Sequence, residues 1–197
     1  MKNKRPLEYP SMLIDTHVHL DDPRYDPDRE DVFARAQAAG VKGFITIGCD
    51  LATSQAAVAL AEHNTNVYAT VGVHPHEVKM IQPSWYYELT QLARHPKVVG
   101  YGEIGLDYHY DHSPREIQRQ KFREQLCLAR DLHLPVIIHT REAPTDTIAI
   151  LREEQAQEIG GVFHCFSGDA TLAKEALDLG FYLSFSGIIT FRNAHTL

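Results

Sequence analysis

Cysteine is scarce in this chain: Cys49, Cys127 and Cys165 are scattered over 197 residues with no C-x-x-C pair. That pattern argues against a disulfide framework or a zinc ribbon and makes a reducing cytoplasm the default setting. No apolar run approaches the roughly 18 residues a membrane-spanning helix needs. The basic stretch Lys2 to Arg5 leads into no apolar segment of the secretory kind. Residues 1–11 therefore read as a flexible tail and residues 12–197 as one domain, long enough for a substantial core. Positive charge is short as well, with 19 Lys and Arg against 26 Asp and Glu, a net charge of −7. This balance argues against bulk electrostatic binding to nucleic acid but leaves room for a local phosphate site. A Gly-x-Gly-x-x-Gly turn after the first strand is also missing, which removes the main support for a dinucleotide-binding sheet. Neither a membrane nor an obligate protein partner is expected.

Histidine is plentiful by contrast, with 12 residues. The stretch Leu13 to Leu20 starts apolar and carries His17 and His19 one residue apart. Residues two apart on a strand share a face, so the two rings aim at one point, as a metal chelate requires. Apolar runs then recur after each helical pattern. Strands are predicted at Gly43–Gly48, Val67–Val73, Val98–Gly102, Leu134–Ile138, Gly161–Phe163 and Phe181–Gly187. Between them lie helices opened by Asp28, by Asp169 and, with Pro114 first in the helix and Glu116 third, by Ser113 as a capping box. Seven strands alternating with helices mean parallel βα units.

Either an open doubly wound sheet or a (β/α)8 barrel satisfies that alternation, and the polar residues decide between them. His17 and His19, His74, Glu103, His139 and His164 all fall at or near C-terminal strand ends. In a barrel those ends form one rim, where active sites are built. The expected fold is therefore a TIM-type (β/α)8 barrel of about seven strands, incomplete here. Imidazoles suit zinc, manganese, iron or nickel, and a carboxylate can bridge two ions. His17, His19, Glu103, His139 and His164 would hold two divalent cations, with Glu103 as the bridging catalytic carboxylate. Such a pair activates a water and offsets charge on a phosphoryl or acyl oxygen, which predicts metal-dependent hydrolysis.

Other residues are read around this set. Arg141, two residues past His139, would grip a substrate phosphate at the rim, and His74 would contact that phosphate or a metal-bound water; His76 is the weaker candidate. Asp15 shares the parity of the two strand-one histidines and reads as a partner orienting an imidazole. Asp107 follows Glu103 in a turn and reads equally as a loop cap or a functional group. His63, His95, His109, His112, His133 and His195 fall in helices, helix ends or loops and receive no role.

Five segments in order also resemble a known family: Asp15-Thr16-His17-Val18-His19-Leu20, Gly72-Val73-His74-Pro75-His76, Gly102 to Tyr108, His139-Thr140-Arg141-Glu142-Ala143 and His164-Cys165-Phe166-Ser167-Gly168. They look like the successive motifs of the TatD-type deoxyribonucleases, metal-dependent hydrolases with an amidohydrolase-like barrel. The resemblance implies His17, His19, Glu103, His139 and His164 as metal ligands. It further implies magnesium, manganese or zinc as cofactor and hydrolysis of DNA phosphodiester bonds, often from a 3′ end. Some relatives are thought to act on transfer RNA, so a D-aminoacyl-tRNA deacylase is the alternative reading. The family pattern also includes an eighth strand with an aspartate, and no Asp or Glu follows Asp178. A shortened chain with two open sheet edges is expected on that account, and an inactive scaffold is a third reading.

Overall fold

The computed structural model describes residues 13–192 and 194; the tail expected over residues 1–11 lies outside them. Strands β1 (Leu13–Val18), β2 (Val41–Ile47), β3 (Val67–Val71), β4 (Val98–Asp107), β5 (Val136–Arg141), β6 (Gly161–Phe163) and β7 (Tyr182–Leu183) alternate with six helices. These are α1 (Arg29–Ala38), α2 (Leu51–His63), α3 (Pro83–Ala93), α4 (Arg115–Asp131), α5 (Pro144–Glu153) and α6 (Ala170–Asp178). All strand pairs are parallel and the order is sequential, β1 to β7.

The central strands bury apolar side chains, as strands packed beneath helices do. Val67, Ala69 and Val71 are fully buried, as are Ile104, Leu106, Val136 and Ile138. Thr16, Ile45, Thr70, Val99, Ile137, Val162 and Leu183, one from each strand, line a single cavity of about 550 Å³. The sheet is therefore curled into most of a barrel, with β1 and β7 as its edges among the described residues. Its edge flanks are open to solvent at Leu13, Ile14 and Tyr182.

Local signals set the element boundaries. Asp50 caps α2 by accepting from Thr53 N at 2.7 Å, and the Thr53 hydroxyl oxygen accepts from Asp50 N in return, a true capping box. Asp169 caps α6 through Leu172 N, as its position in the sequence suggests. The expected box at Ser113 does not form. The helix starts at Arg115, and the Ser113 hydroxyl instead donates to His76 O at 2.7 Å and accepts from Lys79 N. Ser113 is thus recruited by the loop after β3, which carries the rim histidines. Strand β7 is also shorter than expected: pairing ends at Leu183, and a one-turn helix at Gly187–Thr190 follows. Strand β4 is longer, because it continues past Glu103 to Asp107.

Candidate metal centre

Glu103 sits deep in β4, 3% exposed, and rings from four segments converge on its carboxylate. Oε1 lies 2.7 Å from His139 Nδ1, 2.5 Å from His164 Nε2 and 3.4 Å from His74 Nε2. Oε2 lies 3.3 Å from His17 Nε2. The ring nitrogens crowd one another as well: His139 Nδ1 is 3.1 Å from His164 Nε2 and 3.3 Å from His74 Nε2. One ring nitrogen offers one proton or one lone pair, so hydrogen bonds cannot satisfy this cluster. Lone pairs pooled in this way are the arrangement a cation satisfies.

Three donor sets arise, each with its ligand atoms within 4.8 Å of one another: His17, Glu103 and His164; His19, Cys49 and Glu103; His74, Glu103 and His139. Glu103 is common to all of them. The residues present therefore fit divalent cations.

The backbone explains the convergence. At Gly105 φ is +142°, and a Cβ there would lie 2.0 Å from His139 O. Only glycine lets β4 and β5 approach closely enough, in a register pairing Gly105 with His139, to set Glu103 beside that ring. On the other flank the His17 and His164 rings stack, 4.0 Å between centroids and 11° between planes. The ends of β1 and β6 are thus brought together without being paired neighbours.

Burial alone would raise the Glu103 pKa, but the His164, His139 and His17 rings outweigh it and hold the carboxyl well below its usual range. Burial likewise opposes a charge on His139, yet the Asp107 and Glu103 carboxylates lift it to about 9. His74 goes the other way, because its burial exceeds the help it receives from Glu103. Burial, reinforced by Glu103, raises the Cys49 thiol.

Comparison with known proteins places the chain in a family. The family described as "TatD related DNase" matches residues 14–197. The chain belongs to it. The chain is 44% identical to the uncharacterized metal-dependent hydrolase YabD of Bacillus subtilis, covering 93% of this chain and 72% of that protein. It is 37% identical to the 3′-5′ ssDNA/RNA exonuclease TatD of Klebsiella pneumoniae, covering 89% of this chain and 66% of that protein. The crystal structure of YJJV, a TatD homolog from Escherichia coli K12, superposes with a TM-score of 0.85 at 35% identity, over 91% of this chain and 70% of that one. The protein is accordingly a TatD-family metal-dependent hydrolase with an α/β barrel fold.

Within this TatD-family centre the structure gathers His17, His19, His74, Glu103, His139 and His164. Arg141 stands apart from the carboxylate. It is exposed, lines a cleft with His139 and His164, and holds its guanidinium 4.7 Å from the Tyr110 ring centre. Asp15 does not orient a ring. Its Oδ1 accepts from the backbone N–H of His17 at 3.2 Å, at an irregularity in the β1–β2 pairing. Asp107 takes the part that Asp15 was expected to play. Fully buried at the end of β4 rather than in a turn, it places Oδ2 2.9 Å from His76 Nε2 and 3.2 Å from His139 Nε2. A carboxylate on the outer nitrogen of a ligating imidazole fixes its tautomer and tilt.

Sequence reading also passed over Cys49 and two glutamines of α4. Gln125 accepts from Val73 N and donates to Val73 O, at 2.8 and 3.0 Å, just before His74. Gln118 accepts from Asp107 N and donates to Asp107 O. Both are fully buried. Their spacing of seven, two helical turns, on the same face as Phe122 and Leu126 was the available signal.

Proposed function

We propose that this protein is a divalent-metal-dependent phosphodiesterase acting on DNA, removing nucleotides from a 3′ end. In this reading His17, His19, Glu103, His139 and His164 hold two cations, magnesium, manganese or zinc. The observation that carries it is the single buried carboxylate facing four imidazoles and shared by three donor sets. The Klebsiella relative's name, a 3′-5′ ssDNA/RNA exonuclease, supports a nucleic-acid substrate.

When bound, the cations would activate water near neutral pH and offset charge building on the phosphoryl oxygens. The chain's own residues do the rest. Glu103 brings a fixed negative charge that belongs to each donor set at once, which makes it the catalytic carboxylate of this reading. Asp107 holds the His139 ring from behind. His74, kept uncharged by burial, turns Nε2 to Glu103 and His139 while its Nδ1 accepts from the His76 backbone N–H, so in this reading it borders the place of the reacting phosphate, and Arg141 at the cleft mouth supplies a guanidinium fork for that group.

The test incubates the metal-loaded protein with single-stranded DNA labelled inside its 3′ end and, separately, with misacylated tRNA. Release of mononucleotides from the DNA is the expected result. Release of amino acid alone would replace the proposal with aminoacyl-ester hydrolysis. Full metal occupancy with no turnover of either substrate would mark the chain as a scaffold.

A further inference from the structure

The loop between β4 and α4 presents three ring side chains at exposed positions, His109, Tyr110 and His112. Tyr110 is 51% exposed. Its ring runs parallel to that of His112, 3° apart with centroids at 5.5 Å, and meets His109 edge-on at 4.6 Å. The Arg141 guanidinium lies over the tyrosine at 4.7 Å. Glu142, the acid next to Arg141 in the chain, is taken up by His109 Nδ1 at 2.7 Å. Among the described residues Arg141 therefore keeps its charge free of ion pairs.

This ledge is held in register with the metal centre. Asp107 Oδ1 accepts the backbone N–H groups of His109 at 3.0 Å and Tyr110 at 2.9 Å. Its other oxygen faces the outer nitrogen of His139. Arg141 is the sheet partner of Asp107 and stands two residues beyond His139. A half-exposed tyrosine ring with an unpaired guanidinium above it offers partners for the two halves of a nucleotide, a flat base and a charged phosphate. Base–aromatic stacking tolerates any base but needs one that is free of its neighbours. A planar base entering between Arg141 and Tyr110 exchanges one cation–π contact for two stacked ones.

We propose that Tyr110, flanked by His112 and Arg141, is a stacking subsite for an unpaired base of a single nucleic-acid strand whose phosphate lies at the metal centre. The inference rests on the phosphodiesterase reading for its substrate class.

Fluorescence anisotropy with a short labelled oligothymidylate, in the absence of turnover, tests it directly. Tyr110→Ala and Tyr110→Leu should each weaken binding about tenfold, and Tyr110→Phe should stay within about twofold of wild type. A strand of equal length and charge with abasic sugars should bind the wild type and both variants alike. Equal oligothymidylate binding by wild type and Tyr110→Leu would overturn the proposal, as would an equal loss on the abasic strand. Absence of oligothymidylate binding by the wild type would also overturn it. Hydrolysis of bis(4-nitrophenyl) phosphate by the metal-loaded wild type separates the two readings. Its failure would count against phosphodiester chemistry, while the binding result still decides the ledge.

Discussion

Between β3 and β5 most polar groups near Glu103 have partners, the Tyr101 hydroxyl being the one buried without one among the described residues, whereas on the β6, β7 and β1 side two ring nitrogens lack them. On the first side every residue from Gly100 to Asp107 is buried. Thr70 Oγ1 donates to Gly102 O at 2.6 Å, Gln125 clamps Val73, and Gln118 clamps Asp107. On the second side β7 is two residues long, Leu13, Ile14 and Phe185 are at least half exposed, and the Nδ1 atoms of His17 and His164 are buried without a partner. A buried network with nearly all of its groups satisfied holds its members in one arrangement. Stacked rings without outer hydrogen bonds are held less tightly. The difference teaches that Glu103 and His139 are held by more of the protein's own hydrogen bonds than His17 and His164 are.

The most severe way to break this comparison is at its shared member. Glu103→Gln should lower kcat on bis(4-nitrophenyl) phosphate by about a thousandfold, because one neutral amide replaces the charge common to all donor sets. Turnover within tenfold of wild type would remove Glu103 from the chemistry. Next comes the brace on the well-held side: Asp107→Asn should weaken metal binding about 10- to 100-fold in calorimetry. Unchanged affinity would mean that the His139 ring needs no holding. Gln125→Leu strands the N–H and C=O of Val73 in the core and should cost about 2 kcal/mol in urea unfolding. The smallest effect belongs to the exposed edge, where Leu13→Lys should stay within about 0.5 kcal/mol of wild type. An edge substitution as costly as the Gln125 one would erase the contrast between the two sides.

The barrel and its rim were readable because strand ends carry their polar residues in local motifs: His17-Val18-His19, Gly102-Glu103, His139 and His164 each terminate an apolar run. Less readable was anything whose partner is remote in the chain. Asp107 meets His76 across 31 residues and His139 across 32, so its neighbours in sequence suggested a turn. Ser113 lost its capping duty to a carbonyl 37 residues away. Asp15 obeyed strand parity, yet an irregularity in the β1 pairing spent its oxygen on the backbone. Cys49 carries no motif, and only the closeness of β2 to His19 and Glu103 makes it a donor. His112 read as a loop residue and is one, but nothing in the sequence shows its ring lying parallel to that of Tyr110.

The glutamine clamps give α4 a role in timing. The amide protons of Val73 and Asp107 are bonded to side chains of that helix, not to a neighbouring strand. Their exchange with deuterium should therefore follow undocking of α4, while the amides of the sheet exchange on the slower schedule of the barrel itself. Two protons, one on each side of the histidine cluster, would then report in a single spectrum whether the helix is seated.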